Sequence, residues 1–414
     1  MTSATKGLKS SVLKNFPNIG WVMFWITSGF YFYDFSLRLI PSVMLEEITA
    51  TYKITPQQFG FLESSFYFMY TPMQLFAGPL IDEFGASKIV PLAVACCLIG
   101  SIMSALEINF TILIIARLLI GFGSAFAFIA VLKTASEWLP KHYYPILSGI
   151  ATGLGSLGGI AAEVFIPMGV QYGAPIIYFG SAVISLVLLL LSCMFIYDKE
   201  DHSLTTFNFY RIANDIYAVI TRRQIWIIGL VGCFMYTPLQ IFIAWAKSFF
   251  MQNYQVSEAF SGQLTSMIFW GLVIGAPLNG WLASQTDNKK RLLYVGSAIS
   301  LICMCLLLVK VWSVSIAALL LFFIGCFVGA QQLVFVFAKD LVPDHLTATS
   351  IATTNMIVNL SSYIQPLLGY MLIPETSNPL HYTFSSWQAA LSIIPILLVC
   401  SLILIMFIEE KEVI

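Results

Sequence analysis

An aspartate followed four residues later by an arginine, both inside an apolar stretch, is an arrangement that can do chemistry. It occurs here in Tyr31-Phe32-Tyr33-Asp34-Phe35-Ser36-Leu37-Arg38. On a helix, positions i and i+4 share one face, and the acid on the N-terminal side is the favourable order. Such a pair either neutralises itself and locks its helix, or opens so that the guanidinium takes a carboxylate and the aspartate takes a proton or an amine. Tyr31, a turn before Asp34, joins Arg38 as a candidate substrate contact. Glu63, near Ser64, Ser65, Tyr67 and Tyr70, and Glu163, after the run Gly149, Gly153, Gly155, Gly158 and Gly159, are the other embedded acids. With Asp34 they are the candidate proton carriers, although Glu63 also suits a hydrogen-bonded structural carboxylate. Arg117 is a second embedded base, suited either to substrate or to a bridge or cap near a helix end. An ionisable group in a membrane helix costs at least about 2.5 kcal/mol on insertion scales, so it faces a water-filled cavity or a partner.

The elements that must hold these groups are membrane helices. Of 414 residues, 58% are hydrophobic and 10% charged, and the mean hydropathy is +0.85. A soluble domain carries about 25% charged residues, so a soluble enzyme and a disordered chain are excluded. The net charge is -1, with no basic run of the kind that grips phosphates, which sets nucleic acid aside. The eight cysteines lie in apolar runs without zinc spacing and read as buried small hydrophobes. The four histidines, His142, His202, His345 and His381, fall in loops, so proton coupling must use carboxylates.

Apolar runs lie near 19–45, 57–80, 88–106, 110–132, 144–168, 175–197, 224–250, 258–284, 291–310, 313–338, 346–373 and 386–408. At roughly 20 residues per crossing, these predict an all-α membrane protein with twelve transmembrane helices. The polar stretch 198–223 divides them into two six-helix halves. The expected organisation is a cytoplasmic segment 1–18, a half 19–197, a cytoplasmic linker 198–223, a half 224–408 and a cytoplasmic tail 409–414. Most Lys and Arg gather on the side of the termini, whereas the other side holds only Lys53, Lys247 and Lys310. Both termini are therefore expected in the cytoplasm, and the first apolar run reads as a retained helix rather than a cleaved signal. Asp34, about fifteen residues into the first span, sits roughly 22 Å along it at 1.5 Å per residue.

A motif repeats between the halves. Gly78-Pro79-Leu80-Ile81-Asp82-Glu83-Phe84-Gly85-Ala86-Ser87-Lys88 follows the second span, and Gly280-Trp281-Leu282-Ala283-Ser284-Gln285-Thr286-Asp287-Asn288-Lys289-Lys290 follows the eighth, 202 residues later. Six-plus-six spans, cytoplasmic termini and this loop resemble the major facilitator superfamily over the whole chain. The family pattern is Gly-x-Leu-x-Asp-(Arg)-x-Gly-x-(Arg/Lys)-(Arg/Lys), and Gly78, Leu80, Asp82, Gly85 and Lys88 match it. The second copy departs, with Ser284 in place of Asp and Asn288 in place of Gly. Arg117-Leu118-Leu119-Ile120-Gly121 resembles the family's Arg-x-x-x-Gly signature in span 4. Phe32 to Met44, Tyr70-Thr71-Pro72-Met73-Gln74 and Lys133 to Pro140 are similar to the phagosomal nutrient transporters of intracellular bacteria, which import amino acids and in some cases nucleosides.

The resemblance implies a pseudo-symmetric facilitator fold, alternating access, and a cavity lined by spans 1, 4, 7 and 10. It puts Tyr236, Gln240 and Trp245 of span 7 and Gln331 and Gln332 of span 10 beside Arg38, Tyr31 and Arg117, with Tyr236, Gln240 and Gln331 weighted as substrate contacts. Asn355, Asn359 and Gln365 of span 11 are either further contacts or interhelical glue. Gly78, Asp82, Gly85 and Lys88 are implied in gating. The expected function is proton-coupled import of a small polar nutrient, an amino acid first, by a monomer in the bacterial inner membrane. The alternatives are an exporter, a siderophore or nucleoside carrier, or a transport-dead membrane sensor. No cofactor or metal is expected, and no cluster of the kind a membrane enzyme needs appears.

Overall fold

The computed structural model describes residues 18–54, 56–170, 172–199, 209–286, 288–364, 368, 371 and 382–409. The segment before 18, part of the linker, Asp287, Gln365, His202, His381 and most of the tail lie outside them. Among the described residues the backbone is helical or in turns, without strand. The helices are α1 Ile19–Val43, α2 Leu45–Tyr52, α3 Pro56–Phe84, α4 Ala86–Ala105, α5 Phe110–Ser124, α6 Ala127–Trp138, α7 Tyr144–Val170, α8 Ala174–Phe195 and α9 Phe209–Ile220. They continue with α10 Arg223–Met235, α11 Ile243–Tyr254, α12 Glu258–Gln285, α13 Lys289–Val309, α14 Val314–Val328, α15 Leu333–Asp340, α16 Thr347–Asn359, α17 Phe384–Leu391 and α18 Ile393–Ile405.

Helix fills each of the twelve apolar runs as far as it is described, and eight helical stretches are individually long and apolar enough to cross a membrane. The runs that fall short of that test are the first, second, seventh and eleventh. The first two carry Asp34 and Arg38, and Glu63, whose charge lowers their hydropathy, whereas the seventh and eleventh, which hold Gln240 and Asn355 with Asn359, are interrupted by π- or 3-10-helical segments. Runs that are broken rather than continuous include the fourth, the seventh and the tenth. α5 and α6 part at Ala125 and Phe126, α10 and α11 are separated by a π-helical segment Pro238–Phe242, and α14 and α15 by a 3-10 turn Gly329–Gln332.

The described residues fall into two compact units. The first draws on Met1–Tyr144, Val164–Val219 and Pro343–Ala352, and the second on Pro145–Glu163, Ile220–Val342 and Thr353–Ile414.

Glycine sets the closest helix approaches in both, and the approaches repeat. In the first unit a β-carbon on Gly121 would stand 2.3 Å from the Phe66 carbonyl oxygen; in the second, one on Gly325 would stand 1.9 Å from that of Ile268. Likewise a β-carbon on Gly78 would meet the Ala348 carbonyl at 2.3 Å, and one on Gly280 that of Pro145 at 2.4 Å. Gly149 of the glycine run approaches the Ala276 carbonyl in the same way, at 2.4 Å. Small residues let backbones touch where lipid supplies no hydrophobic drive for helix association.

The cysteine expectation needs correction. Cys97, Cys233 and Cys303 are buried, but Cys193 and Cys305 are exposed on α8 and α13, where lipid tails accept a thiol as readily as a core does. His142 and His345 lie in the short turns Lys141–Tyr143 and Asp344–Leu346.

Candidate substrate and proton site

Pro41 lies inside α1, and a helical proline has no N–H for the carbonyl four residues back. That carbonyl belongs to Leu37. Arg117 of α5 supplies the missing donor: its Nη1 donates to the Leu37 carbonyl at 3.0 Å and its Nη2 to that of Arg38 at 3.3 Å. The guanidinium, 1% exposed, therefore fixes α1 at its proline, one turn from the charged pair.

Asp34 is fully buried, and Arg38 donates from Nη2 to its Oδ2 at 3.0 Å. Rings surround the Arg38 guanidinium. Its Cζ lies 4.8 Å from the ring centroids of Phe35 and Tyr70, 5.3 Å from Phe66 and 6.0 Å from Tyr67. Phe66 also lies 5.1 Å from the Arg117 Cζ, so one ring serves both cations. Each such contact contributes about 0.5–2 kcal/mol, more when desolvated.

Glu63 is partly buried and accepts from the Ser42 hydroxyl at 3.2 Å. Arg117 is close enough to attract Glu63 and Asp34 together. Two acids and two bases thus form one quartet whose formal charge is zero. Tyr31 packs beside it, 5.2 Å from Phe35 and 4.9 Å from Phe128 between ring centroids.

Asp82 and Gly78 are also in the first unit. One Asp82 oxygen accepts from the Lys133 ammonium at 2.6 Å, and Lys133 also reaches Glu137 at 2.8 Å. The other oxygen accepts from the Thr349 backbone N–H and from its hydroxyl, both at 3.1 Å. The carboxylate therefore caps the N-terminus of α16, where unpaired N–H groups and the helix dipole favour negative charge. Gly85 has φ +85 with Asp198 against it. Lys88 is exposed.

The second unit holds the uncharged candidates. Gln240 lies in the π-helical segment and donates to Asn359 Oδ1 at 3.1 Å. Asn359 in turn donates to the Asn355 carbonyl at 2.8 Å and to its Oδ1 at 3.2 Å. π-segments of this kind concentrate at functional sites. Gln331 is 5% exposed, and its Nε2 has no hydrogen-bond partner among the described residues. Gln332 instead donates to the Ala276 carbonyl, a packing role. Tyr236 packs partly buried against this unit's core. Glu163 is partly buried and attracted by Lys247 of the same unit.

The second loop copy makes different bonds. Ser284, in place of the family's Asp, donates to its own helix at the Trp281 carbonyl, 2.7 Å away. Asn288, in place of Gly, caps α13 by accepting from the Arg291 N–H at 2.9 Å. Lys289 bridges to Asp340 at 3.3 Å, so here the loop supplies the base and the neighbouring span the acid. Lys290 donates to the carbonyls of Met406 and Ile408, at 2.8 and 3.0 Å.

Sequence reasoning named the charged pair but missed Phe66, Ser42, Thr349 and the proline that occupies Arg117. Phe66 and Tyr70 do recur at i,i+4 on one face of α3, a signal for an aromatic stripe. Nothing local announces that Thr349 meets Asp82. Among the described residues no group of three or more His, Cys, Asp or Glu is placed to hold a metal ion.

Comparison with known proteins gives consistent relatives. The chain matches the Major Facilitator Superfamily over residues 24–366 and again over 228–413. It is 23% identical over 300 residues to the transporter YybO of Bacillus subtilis (strain 168), covering 65% of this chain and 66% of YybO, just short of two thirds of that relative. It is 24% identical over 293 residues to the probable sulfoacetate transporter SauU of Cupriavidus necator, covering 66% of this chain and 68% of SauU. Among solved structures, the transporter FucP in its outward conformation superposes with a TM-score of 0.70 at 14% identity, over 94% of this chain and 99% of FucP.

Proposed function

Because the chain belongs to the major facilitator superfamily, and its relatives are transporters rather than enzymes, we propose that it is a proton-coupled importer of a small polar nutrient, an amino acid first. The observation that carries this reading is the buried Asp34–Arg38 pair, enclosed by rings and joined to Glu63 and Arg117 in a neutral quartet. Desolvating a charge pair is costly and adds little net stability, so its presence in a membrane helix points to use. A proton on Asp34 would release Arg38 to take the substrate carboxylate. A zwitterion adds no net charge to a neutral quartet, and an anion adds none if a proton enters with it.

In this reading the chain resembles the phagosomal nutrient transporters and works as a monomer in the bacterial inner membrane, with both termini cytoplasmic. Its moving halves are 19–197 and 224–408, joined by 198–223, in alternating access. Tyr31 flanks the clamp, and Tyr236, Gln240 and Gln331 read the neutral part of the substrate. Arg117 holds α1 in register rather than the substrate itself. Asp34 and Glu63 are the proton carriers of the first unit, Glu163 the candidate in the second. Asp82, Gly78 and Gly85 serve the gate, and Lys88 acts from its exposed flank.

SauU favours a second reading, a small organic anion without an amine. Purified protein in liposomes on a solid-supported membrane separates the readings. An inward proton gradient with an amino acid present is expected to give a transient current that Asp34→Asn abolishes while exchange of labelled substrate persists. Proton-driven uptake of labelled sulfonates or carboxylates with little or no current, and no response to amino acids, would favour the second reading. Net uptake that runs equally well without a proton gradient, or a current that Asp34→Asn leaves unchanged, would defeat proton coupling.

A further inference from the structure

The loop between α3 and α4 carries two successive acids, Asp82 and Glu83, where the family pattern has an acid followed by an arginine. Glu83 is 7% exposed, so two neighbouring carboxylates are withdrawn from water and each requires its own cation. Lys133 of α6 serves Asp82. Arg211 of the linker helix α9 serves Glu83, with Nη1 3.2 Å from Oε2 and 3.5 Å from Oε1. The opposite flank of the loop is held from the end of α8. There Asp198 accepts from the Ser87 N–H at 3.0 Å and from the Ser87 hydroxyl, at the first turn of α4. Its carboxylate lies where a β-carbon on Gly85 would be, 2.3 Å from Oδ2.

Two parts of the central linker region therefore grip the loop from both sides. The positive charge that the family pattern writes into the loop itself arrives from another helix.

We propose that Arg211 is a positioning residue of the gate loop: by neutralising Glu83 it keeps the adjacent Asp82 on the N-terminus of α16. The linker helix is then a working part of the first unit rather than a tether. This holds whatever substrate the chain carries.

Hydrogen–deuterium exchange of the full-length protein in detergent reads it directly, because the Thr349 N–H is one of the bonds at stake. Arg211→Gln is expected to speed exchange in 78–88 and 345–352 about five-fold or more, the lower end of a coupling between sites, while 289–309 is unchanged. Arg211→Lys should restore protection. In a Glu83→Gln background, where no buried charge needs a partner, Arg211→Gln should add nothing. Faster exchange confined to 209–220 would overturn the proposal by showing that Arg211 anchors only its own helix. A uniform rise along the chain would overturn it too, as a general loss of stability.

Discussion

Pro41 and Arg117 form a complementary pair: one withdraws a donor from α1 and the other returns it. The charge of Arg117 and its place in an apolar run were visible in the sequence, but its acceptors are backbone atoms 79 and 80 residues away, which no local pattern encodes. Asp34 and Arg38 were legible as partners because four residues on one helix fix their proximity. Charged hydrogen bonds contribute about 1.5–3 kcal/mol, so Arg117→Met is expected to destabilise the protein by at least that amount in equilibrium unfolding in mixed micelles. Pro41→Ala restores an N–H for Leu37, and the cost of Arg117→Met should shrink in that background. Equal costs in both backgrounds would show that Arg117 acts elsewhere.

At the scale of elements, apolar length predicted where helices run, and chemistry predicted where they break. The halves of spans 4, 7 and 10 escaped notice because a turn, a π-segment or a 3-10 segment changes hydrogen-bond register without changing hydropathy. The glycines are more informative, since small residues let helices approach closely in a membrane and Gly149 of the α7 run meets the Ala276 carbonyl. Gly280→Val should therefore prevent accumulation of folded protein, as judged by a monodisperse peak in size-exclusion chromatography. Gly85 is constrained differently, by φ +85 and by the neighbouring Asp198 carboxylate. Backbone strain of that kind costs about 1–3 kcal/mol, so Gly85→Ala should lower the thermal midpoint. Asp198→Asn, which keeps the backbone unstrained and weakens only the cap on α4, should lower it less. A Gly85→Ala protein as stable as the wild type would remove the strain argument.

For the whole molecule, the loop repeat, the matching glycine approaches and the recurrent breaks in spans 4 and 10 describe two related units that have diverged chemically. The first keeps four embedded charges that cancel. The second carries the amide chain Gln240–Asn359–Asn355 and, of the embedded acids, Glu163 near Lys247, and Leu321 stands four residues before Gly325 as Arg117 stands before Gly121. Charge segregation was legible in the sequence, because ionisable residues are rare in apolar runs. Neutrality of the quartet was not, since it depends on α1, α3 and α5 meeting. Substrate identity is written in neither, because side chains from many spans compose it.

The central claim is that Arg38 receives an anionic group of the substrate once Asp34 lets go. Thermal unfolding of the detergent-purified chain against amino acids, nucleosides and small organic acids tests it most directly. A ligand at about 100 times its Kd stabilises the bound protein by roughly 2.7 kcal/mol. The expected result is a selective shift from a carboxylate-bearing compound that Arg38→Lys abolishes, since lysine keeps the charge but loses the two-pronged fork, while the unliganded midpoint stays within a few degrees of wild type. A shift of the same size in Arg38→Lys would contradict the account.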